Sequence, residues 1–180
     1  MSKTYHLAIL IGSNQKNSIN RQLAEAMARL LPENFQVSYP RIDDLPLYCQ
    51  DLEPQRTASV NRFTGEITAA DAILLVTPEH NRSIPAALKN ALDWGSKPHS
   101  IWFDKPAAIT GTSPGAIGTA VAQQQLRNIM GVLGSLVMGG EAYLHFKPDL
   151  VVDGEIGPGS RDFIKGYLDR FVSLIEKVCD

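Results

Sequence analysis

Apolar and polar residues follow two kinds of pattern along the chain, and the change from one to the other predicts a succession of strands and helices. Leu7–Ile11 and Ala72–Val76 are unbroken apolar runs, as found in strands that are buried on both faces of a parallel sheet. Shorter segments at 35–39 and 106–110 are predicted to be two more strands. A fifth strand is expected somewhere between residues 136 and 146.

Between the predicted strands, apolar residues recur at the spacing of one face of a helix. The spacing predicts five helices: 18–31, about 56–70, one that begins after residue 83, one that ends at about 133, and 163–175. Ser83 is expected to cap the third helix, with Pro85 in its first turn, where proline is tolerated. The stretch 40–54 contains three prolines and is expected to be an irregular loop.

Five strand–helix units in succession predict an α/β fold, with a parallel sheet covered by helices on both faces. At 180 residues this is expected to be a single domain, 1–180, with a flavodoxin-like three-layer sandwich and a five-stranded sheet of order 2-1-3-4-5. Such folds bind ligands outside the carboxyl ends of the strands, near the switch between strands one and three. We therefore expect chemistry in the first loop (12–18), the second loop (77–83) and the third loop (111–118).

Composition excludes several classes of function. With 17 basic and 19 acidic residues the chain has no basic stripe, so we expect no nucleic-acid partner. Its two cysteines, Cys49 and Cys179, lie far apart in the sequence, which argues against a metal site, a disulfide scaffold or CxxC redox chemistry. No apolar run approaches the ~20 residues of a membrane span, and no secretory signal is visible. A cytoplasmic location is the expectation.

The first loop joins a buried strand to a helix and is rich in small hydrogen-bond donors. The start of a helix carries free N–H groups and partial positive charge, so it can hold a phosphate, with Ser13, Ser18 and Asn20 adding side-chain donors. The alternative is that Ser18 merely caps the helix. The loop has neither the Walker motif nor the glycine pattern of dinucleotide-binding folds.

The second loop is bracketed by Pro78 and Pro85, which stiffen it. Outward-facing amides on such a turn can bond the edge of a flat heterocycle. His80 is either a general acid or base or, as is commoner for a lone loop histidine, an exposed polar residue.

The third loop begins Gly111-Thr-Ser-Pro-Gly115, which matches the Gly-x-Ser-x-Gly nucleophile elbow of serine hydrolases. Pro114 has no N–H to offer an oxyanion hole. Only His145 follows Ser113 as a possible base, and Glu141 is the only acid between them. The chain is also short for that fold, so the hydrolase interpretation is disfavoured.

Taken together, the three loops resemble the NADPH-dependent FMN reductase family, which has a flavodoxin-like fold and includes quinone, azo-dye and chromate reductases. The most specific segment is Pro78–Trp94, PEHNRSIPAALKNALDW, beside the family's usual Pro-Glu-Tyr-Asn-x-Ser-x-Pro-Gly-x-Leu-Lys-Asn-Ala-x-Asp-Trp. The first loop is similar to the family's Gly-Ser-x-Arg-x-x-Ser-x-Asn, and the third to Gly-x-Ser-x-Gly-x-x-Gly.

The resemblance implies that FMN is the cofactor and that no side chain of the protein is itself catalytic or a metal ligand. It implies a phosphate site made by Ser13, Gln15, Ser18, Ile19 and Asn20. It implies contacts to the edge of the isoalloxazine ring from Pro78, Glu79, His80 and Asn81. One further contact to the flavin is implied for Ser113. It also implies a homodimer or homotetramer, with the helix of 88–94 near the subunit contact.

The implied reaction is ping-pong: NADPH or NADH reduces FMN, which then reduces a small-molecule acceptor such as a quinone, an azo compound, chromate or free flavin. The preference for NADPH rests on the resemblance alone, and Arg82 or Lys16 is the candidate partner of its 2′-phosphate.

The alternative is a flavodoxin-type electron carrier, but such carriers are strongly acidic. A signalling receiver domain would need an aspartate at the end of the third strand, where the chain has Val76-Thr77.

Two residues depart from the family pattern. Gln15 replaces an arginine of the phosphate loop, which removes a charge-assisted contact that Lys16 or Arg21 would have to supply. His80 replaces a tyrosine of the ring loop, so stacking beside the flavin, and with it substrate preference, is expected to differ.

Overall fold

A computed structural model describes residues 3–180. The strands are β1 (Tyr5–Ile11), β2 (Phe35–Ser38), β3 (Ala72–Val76), β4 (Pro106–Ser113), β5 (Leu136–Val137), β6 (Tyr143–His145), β7 (Val151–Val152) and β8 (Glu155–Ile156). The α-helices are α1 (Ile19–Ala28), α2 (Ala58–Ala69), α3 (Ala86–Gly95), α4 (Ala120–Val132) and α5 (Pro158–Cys179). No helix in this part of the chain combines the length and apolar character needed to cross a lipid bilayer.

The main sheet is parallel and has the order β2-β1-β3-β4-β5, which confirms the predicted flavodoxin-like topology. β1 lies between β2 and β3, paired along Leu7–Ile11 with β3 and at its start with β2. β5 pairs with the first two residues of β4, and β6 pairs in parallel with its last three, residues 111–113. β7 and β8 form a separate antiparallel hairpin between β6 and α5 that the sequence analysis did not predict.

Alternate residues of each central strand face opposite sides of the sheet, as the period-two geometry of a strand requires. Leu7 and Ile9 pack with α1 and α5 on one side. Ala8 and Leu10 pack with α2, α3 and α4 on the other. The result is a three-layer sandwich with two apolar cores, which is why β3 and the Leu7–Ile11 part of β1 are apolar at every position.

The predicted fifth strand is interrupted. β5 and β6 are separated by residues 138–142, which contain Gly140 with a φ of +87°. The interruption is fixed by side chains of the neighbouring elements: Thr110 donates to the carbonyl of Ala142 at 2.9 Å, and Arg127 donates to that of Met138 at 2.8 Å. Because these contacts come from β4 and α4, local sequence could not show where the strand breaks.

One predicted cap is wrong. Pro85, not Ser83, precedes α3, and it makes no side-chain capping bond. Ser83 instead pairs with His80 through main-chain hydrogen bonds of 3.0 and 2.9 Å, and its hydroxyl donates to Gln125 of α4 at 2.8 Å. The serine therefore belongs to the turn before the helix.

The stretch 40–54 is irregular, as predicted, apart from a 3₁₀ turn at Gln50–Gln55. It is anchored to α3, because Asn90 accepts from the N–H of Tyr48 at 2.7 Å and donates to the carbonyl of Pro46 at 2.9 Å. The indole N–H of Trp94 donates to the same carbonyl at 2.7 Å.

Candidate functional site

The first, second and third loops meet at the carboxyl edge of the sheet, because β1, β3 and β4 are neighbours there. The N–H of Gly12 donates to the carbonyl of Val76 at 2.9 Å, and that of Thr77 to the carbonyl of Thr110 at 3.0 Å. A Cβ at Gly111 would lie 1.9 Å from the main-chain oxygen of Thr77. Glycine at this position therefore allows the strands to approach closely just below the loops.

The first loop exposes its donors. Residues 14–17 are exposed and Ser13 is half-buried. The side chain of Ser18 caps α1 by accepting the N–H of Arg21 at 3.3 Å, so the cap itself is present. The N–H groups of Ile19 and Asn20 have no acceptor among residues 3–180, so the first turn of α1 keeps two donors free.

Asn20 has a structural task that the sequence analysis missed. Its buried side chain donates to the carbonyl of Thr112 at 2.9 Å and accepts the N–H of Thr112 at 2.9 Å. This two-point contact ties α1 to β4, and therefore the first loop to the third. The side chain of Asn20 is therefore not free to bind a ligand. Its main-chain N–H, like that of Ile19, has no acceptor among residues 3–180.

The second loop is a tight turn. His80 and Ser83 exchange both main-chain hydrogen bonds, and the two residues between them, Asn81 and Arg82, have φ angles of +50° and +62°. Two central residues with positive φ define a type I′ turn. This conformation is unusual for an arginine.

Two side chains hold this turn against α4. The buried carboxylate of Glu79 accepts the N–H groups of Val121 and Ala122 at 3.0 and 3.2 Å, which caps the start of α4. Gln125 donates to the carbonyl of Arg82 at 2.9 Å and accepts from Ser83. The Glu79 side chain is thus directed into the protein, while its own N–H and that of Asn81 have no acceptor among residues 3–180.

His80 is exposed, and its imidazole contacts no carboxylate within the described part of the chain. A catalytic base of the histidine type normally has an orienting partner. The exposed-loop interpretation of His80 fits this environment, and its ring is accessible to a molecule bound above the turn.

The third loop does not assemble a nucleophile. The first residues of this loop extend β4 as far as Ser113, whose hydroxyl donates to the carbonyl of Gly118. His145 is the β6 neighbour of Ser113, but its Nδ1 lies 3.1 Å from the carbonyl oxygen of Gly115, and no hydrogen bond joins its ring to the serine hydroxyl within the described residues. Ser113 therefore closes the loop on itself, and the exposed segment 114–117 borders the same edge as the other two loops.

A cavity of about 320 Å³ adjoins the first loop on the side away from β3. Ser13, Gln15 and Lys16 line one wall. The opposite wall comes from the segment after β2, with Tyr39 and Arg41. The sequence analysis did not single out these two residues; the signal available was an aromatic and a cation directly after the strand that neighbours β1.

The sequence profile of the NADPH-dependent FMN reductase family matches residues 5–149. The chain belongs to that family. A 2-hydroxy-1,4-benzoquinone reductase of a Burkholderia species is 40% identical over 174 residues, covering 94% of this chain and 95% of the relative. A quinone reductase of Pseudomonas putida is 40% identical over 181 residues, covering 98% and 97%.

Among solved structures, the chain is similar to FerB, a flavoenzyme NAD(P)H:(acceptor) oxidoreductase of Paracoccus denitrificans. The TM-score is 0.92 with 37% identity, covering 97% of this chain and 98% of FerB. The family predicted from the three loops is thereby confirmed. The relatives are oxidoreductases, which favours the enzyme over the electron-carrier alternative.

Proposed function

We propose that the chain is an FMN-dependent NAD(P)H oxidoreductase that reduces quinones, with FMN bound across the first, second and third loops. The observation that carries the proposal is the convergence of unpaired main-chain N–H groups of the second loop and of the helix start after the first loop at one edge of the sheet, with the exposed segment 114–117 of the third loop beside them. Family membership and the quinone reductase relatives supply the cofactor and the acceptor class.

The residues of the first loop fit a phosphate. At the N-terminus of α1, where the helix dipole favours an anion, the N–H groups of Ile19 and Asn20 have no acceptor among residues 3–180. Ser13 and Gln15 add polar groups from the loop before the helix. Ser18, by contrast, would act mainly through its cap, which fixes the direction of these N–H groups.

The second loop fits the edge of a flavin ring. Pro78 and the type I′ turn fix the peptide groups of Glu79, His80 and Asn81, of which the N–H groups of Glu79 and Asn81 have no acceptor among residues 3–180. Donors that are fixed before binding lower the entropic cost of binding a planar heterocycle. Ser113 would border the ring from the third loop. The proposed site residues are therefore those that the resemblance implies, with Glu79 acting through its main chain.

Bound FMN supplies hydride acceptance and electron donation, which the protein side chains cannot supply. The residues of the chain bind and orient it. Glu79 and Gln125 hold the turn in place, and the exposed His80 and Asn81 leave the ring's surroundings open to a nicotinamide and then to a quinone. Alternation of two substrates at one open face is the basis of ping-pong kinetics.

The decisive experiment is spectroscopic. We expect purified protein loaded with FMN to show a flavin spectrum that bleaches on anaerobic addition of NADPH or NADH and recovers on addition of a benzoquinone. A protein that binds FMN but is bleached only through a partner reductase would be a carrier of the flavodoxin type. A protein that does not bind FMN would overturn the proposal.

We also infer that two or more copies associate through α3 and α4. A groove of about 320 Å³ lies between these helices, bordered by Lys89 and Asp93 and by the apolar side chains of Ile129 and Val132. Val132 is 87% exposed. Lys89 and Asp93 pair with each other at 2.7 Å within the chain, so this border carries no unpaired charge that would oppose the approach of a second copy in a two-fold contact.

Light scattering coupled to size-exclusion chromatography tests this association. Val132→Asp would place a charge in the contact, so we expect a smaller assembly, whereas Val178→Asp at the end of α5 should leave the mass unchanged. A wild-type monomer would refute the inference.

We also infer the cellular location of the protein and the number of its domains. NAD(P)H as reductant supports a cytoplasmic location. A single domain over 1–180 is supported by the packing of β1 and α5 in one core. Just beyond α5, the hydroxyl of Tyr5 donates to the carboxylate of Asp180 at 2.8 Å. Limited proteolysis that released a stable fragment would contradict the single domain.

A further inference from the structure

The cavity beside the first loop is positively charged. Three cations line it, Lys16, Arg21 and Arg41, against one carboxylate, Asp43. Lys16 has no ionic partner among residues 3–180, and Arg21 has only Glu25, with the two charged groups 3.7 Å apart. The cavity therefore favours an anion.

Arg41 keeps one end of its guanidinium free. Its Nε and Nη2 atoms donate to the two carboxylate oxygens of Asp43, each at 3.0 Å, and Nη1 has no acceptor within the described chain. The hydrogen bonds from Arg41 hold the pKa of Asp43 below its ordinary value, so this carboxyl is ionised at neutral pH and orients the arginine.

The wall that carries Arg41 is fixed by α2. Arg62 donates to both carboxylate oxygens of Asp44, at 2.7 and 2.9 Å, and to the carbonyl of Arg41 at 3.1 Å. Ile42 between them is buried. The cavity is thus bounded by a preorganised segment rather than by a freely moving loop.

The position of the cavity separates it from the proposed ring site. β2 and β3 flank β1 on opposite sides. The turn of Glu79–Arg82 follows β3, whereas Tyr39 and Arg41 follow β2, two strand spacings away, or about 10 Å. A ligand with one end at the flavin and an anionic end in the cavity must be extended, and a dinucleotide is such a ligand.

We propose that this cavity binds the phosphorylated adenosine of NADPH, with Arg41, Lys16 and Arg21 facing the 2′-phosphate and the ring of Tyr39 beside the adenine. This rests on the proposed NAD(P)H oxidoreductase function and adds to it the residues that select NADPH over NADH. The 2′-phosphate is the only group that distinguishes the two, and cations are its natural partners. Arg82 is the weaker candidate, because it pairs with Glu79 at 3.2 Å on the far side of β1.

The test measures binding and selectivity in the FMN-loaded protein. We expect adenosine 2′,5′-bisphosphate to bind more tightly than 5′-AMP in calorimetry. In Lys16→Gln/Arg41→Gln, this preference and the NADPH-to-NADH ratio of kcat/KM should each fall about tenfold or more, as expected for the loss of charge-assisted hydrogen bonds. Lys177→Gln, an exposed charge in the last turn of α5, is the matched control and should change neither.

The single variant Lys16→Glu is added because misfolding would not explain its effect: Lys16 is exposed and has no ionic partner among residues 3–180. It should lower the same ratio with an unchanged unfolding midpoint. Unchanged ratios in these variants, in an enzyme that oxidises both nucleotides, would overturn this inference alone.

A third measurement separates the two phosphates. If the variants weaken FMN binding and leave riboflavin binding unaltered, while the nucleotide preference stays, the cavity serves the phosphate of FMN and the inference is refuted. Failure of the wild type to bind FMN or to oxidise either nucleotide would instead refute the proposed function.

Discussion

The first and second loops meet at one edge of the same sheet but are built in opposite ways. Residues 14–17 of the first loop are exposed, and the internal hydrogen bond of that loop, from the N–H of Gln15 to the hydroxyl of Ser13, is 3.4 Å long. The second loop is closed by two main-chain bonds and held to α4 by Glu79 and Gln125.

The difference reflects what each loop is proposed to bind. A phosphate is charged and compact, so a helix N-terminus with a few polar groups around it can hold it. A flat ring is recognised along its edge, which requires donors whose directions are fixed before binding. The second loop is therefore expected to depend on fixed contacts with its neighbours, and the first loop on the attachment of α1 to β4, and four substitutions test these contacts.

The largest effect is expected where β4 contacts the base of the second loop. Gly111→Ala would place a Cβ 1.9 Å from the main-chain oxygen of Thr77, which neither strand can avoid without losing pairing. We expect the free energy of unfolding to fall by about 3 kcal/mol or more in urea titration. The control is Gly131→Ala in α4, where a Cβ meets nothing within 4 Å, so that stability should rise slightly. A tolerated Gly111→Ala would show that the strand contact below the loop is loose.

The first loop is expected to be vulnerable only where it is tied to β4. Asn20→Ala leaves the buried N–H and carbonyl of Thr112 without partners, so we expect the apoprotein to lose about 2–3 kcal/mol. The exposed Asn17→Ala should change stability by less than about 0.5 kcal/mol. If Asn20→Ala lowered FMN affinity but not apoprotein stability, the side chain would act on the ligand and not on β4.

A smaller loss is expected for the contact between the second loop and α4. Glu79→Ala removes the acceptor that caps α4, which should cost the apoprotein about 1–2 kcal/mol. Glu79→Gln keeps an oxygen acceptor without the charge and should lose less. Equal stability of both variants and the wild type would mean that the turn is not held by this residue.

The smallest effect, and the only expected gain among the four, concerns the strain of the turn itself. Arg82→Gly places Asn-Gly in the type I′ turn, where both residues tolerate positive φ, and we expect a gain of up to about 1 kcal/mol. The lost ion pair with Glu79 subtracts little, since the arginine is largely exposed. Asn81→Gly should change stability less, because asparagine already tolerates this conformation. A loss in Arg82→Gly would indicate that the ion pair outweighs the strain.

The sequence predicted a parallel sheet because Leu7–Ile11 of β1 and all of β3 are apolar, a pattern typical of strands covered on both faces. It predicted the order 2-1-3-4-5 because five strand–helix units in a chain of this length suit that order. It also predicted the cap at Ser18, since the donor and acceptor of that bond lie three residues apart. It missed the role of Asn20, whose partner Thr112 lies 92 positions away. It misplaced Ser83 for the same reason, because Gln125 lies 42 positions further on.

What the sequence determined by itself was therefore everything set by local periodicity and by motifs: the order of strands and helices, the three loops at one edge, and the family. The tertiary structure alone decided which side chains in those loops face inward. Glu79, Asn20 and Ser83 are polar loop or helix-start residues like their neighbours, and nothing local separates them from ligand-binding ones. The separation arises because each finds a partner on another element only after the chain has folded, and a satisfied buried group is no longer free to meet a ligand.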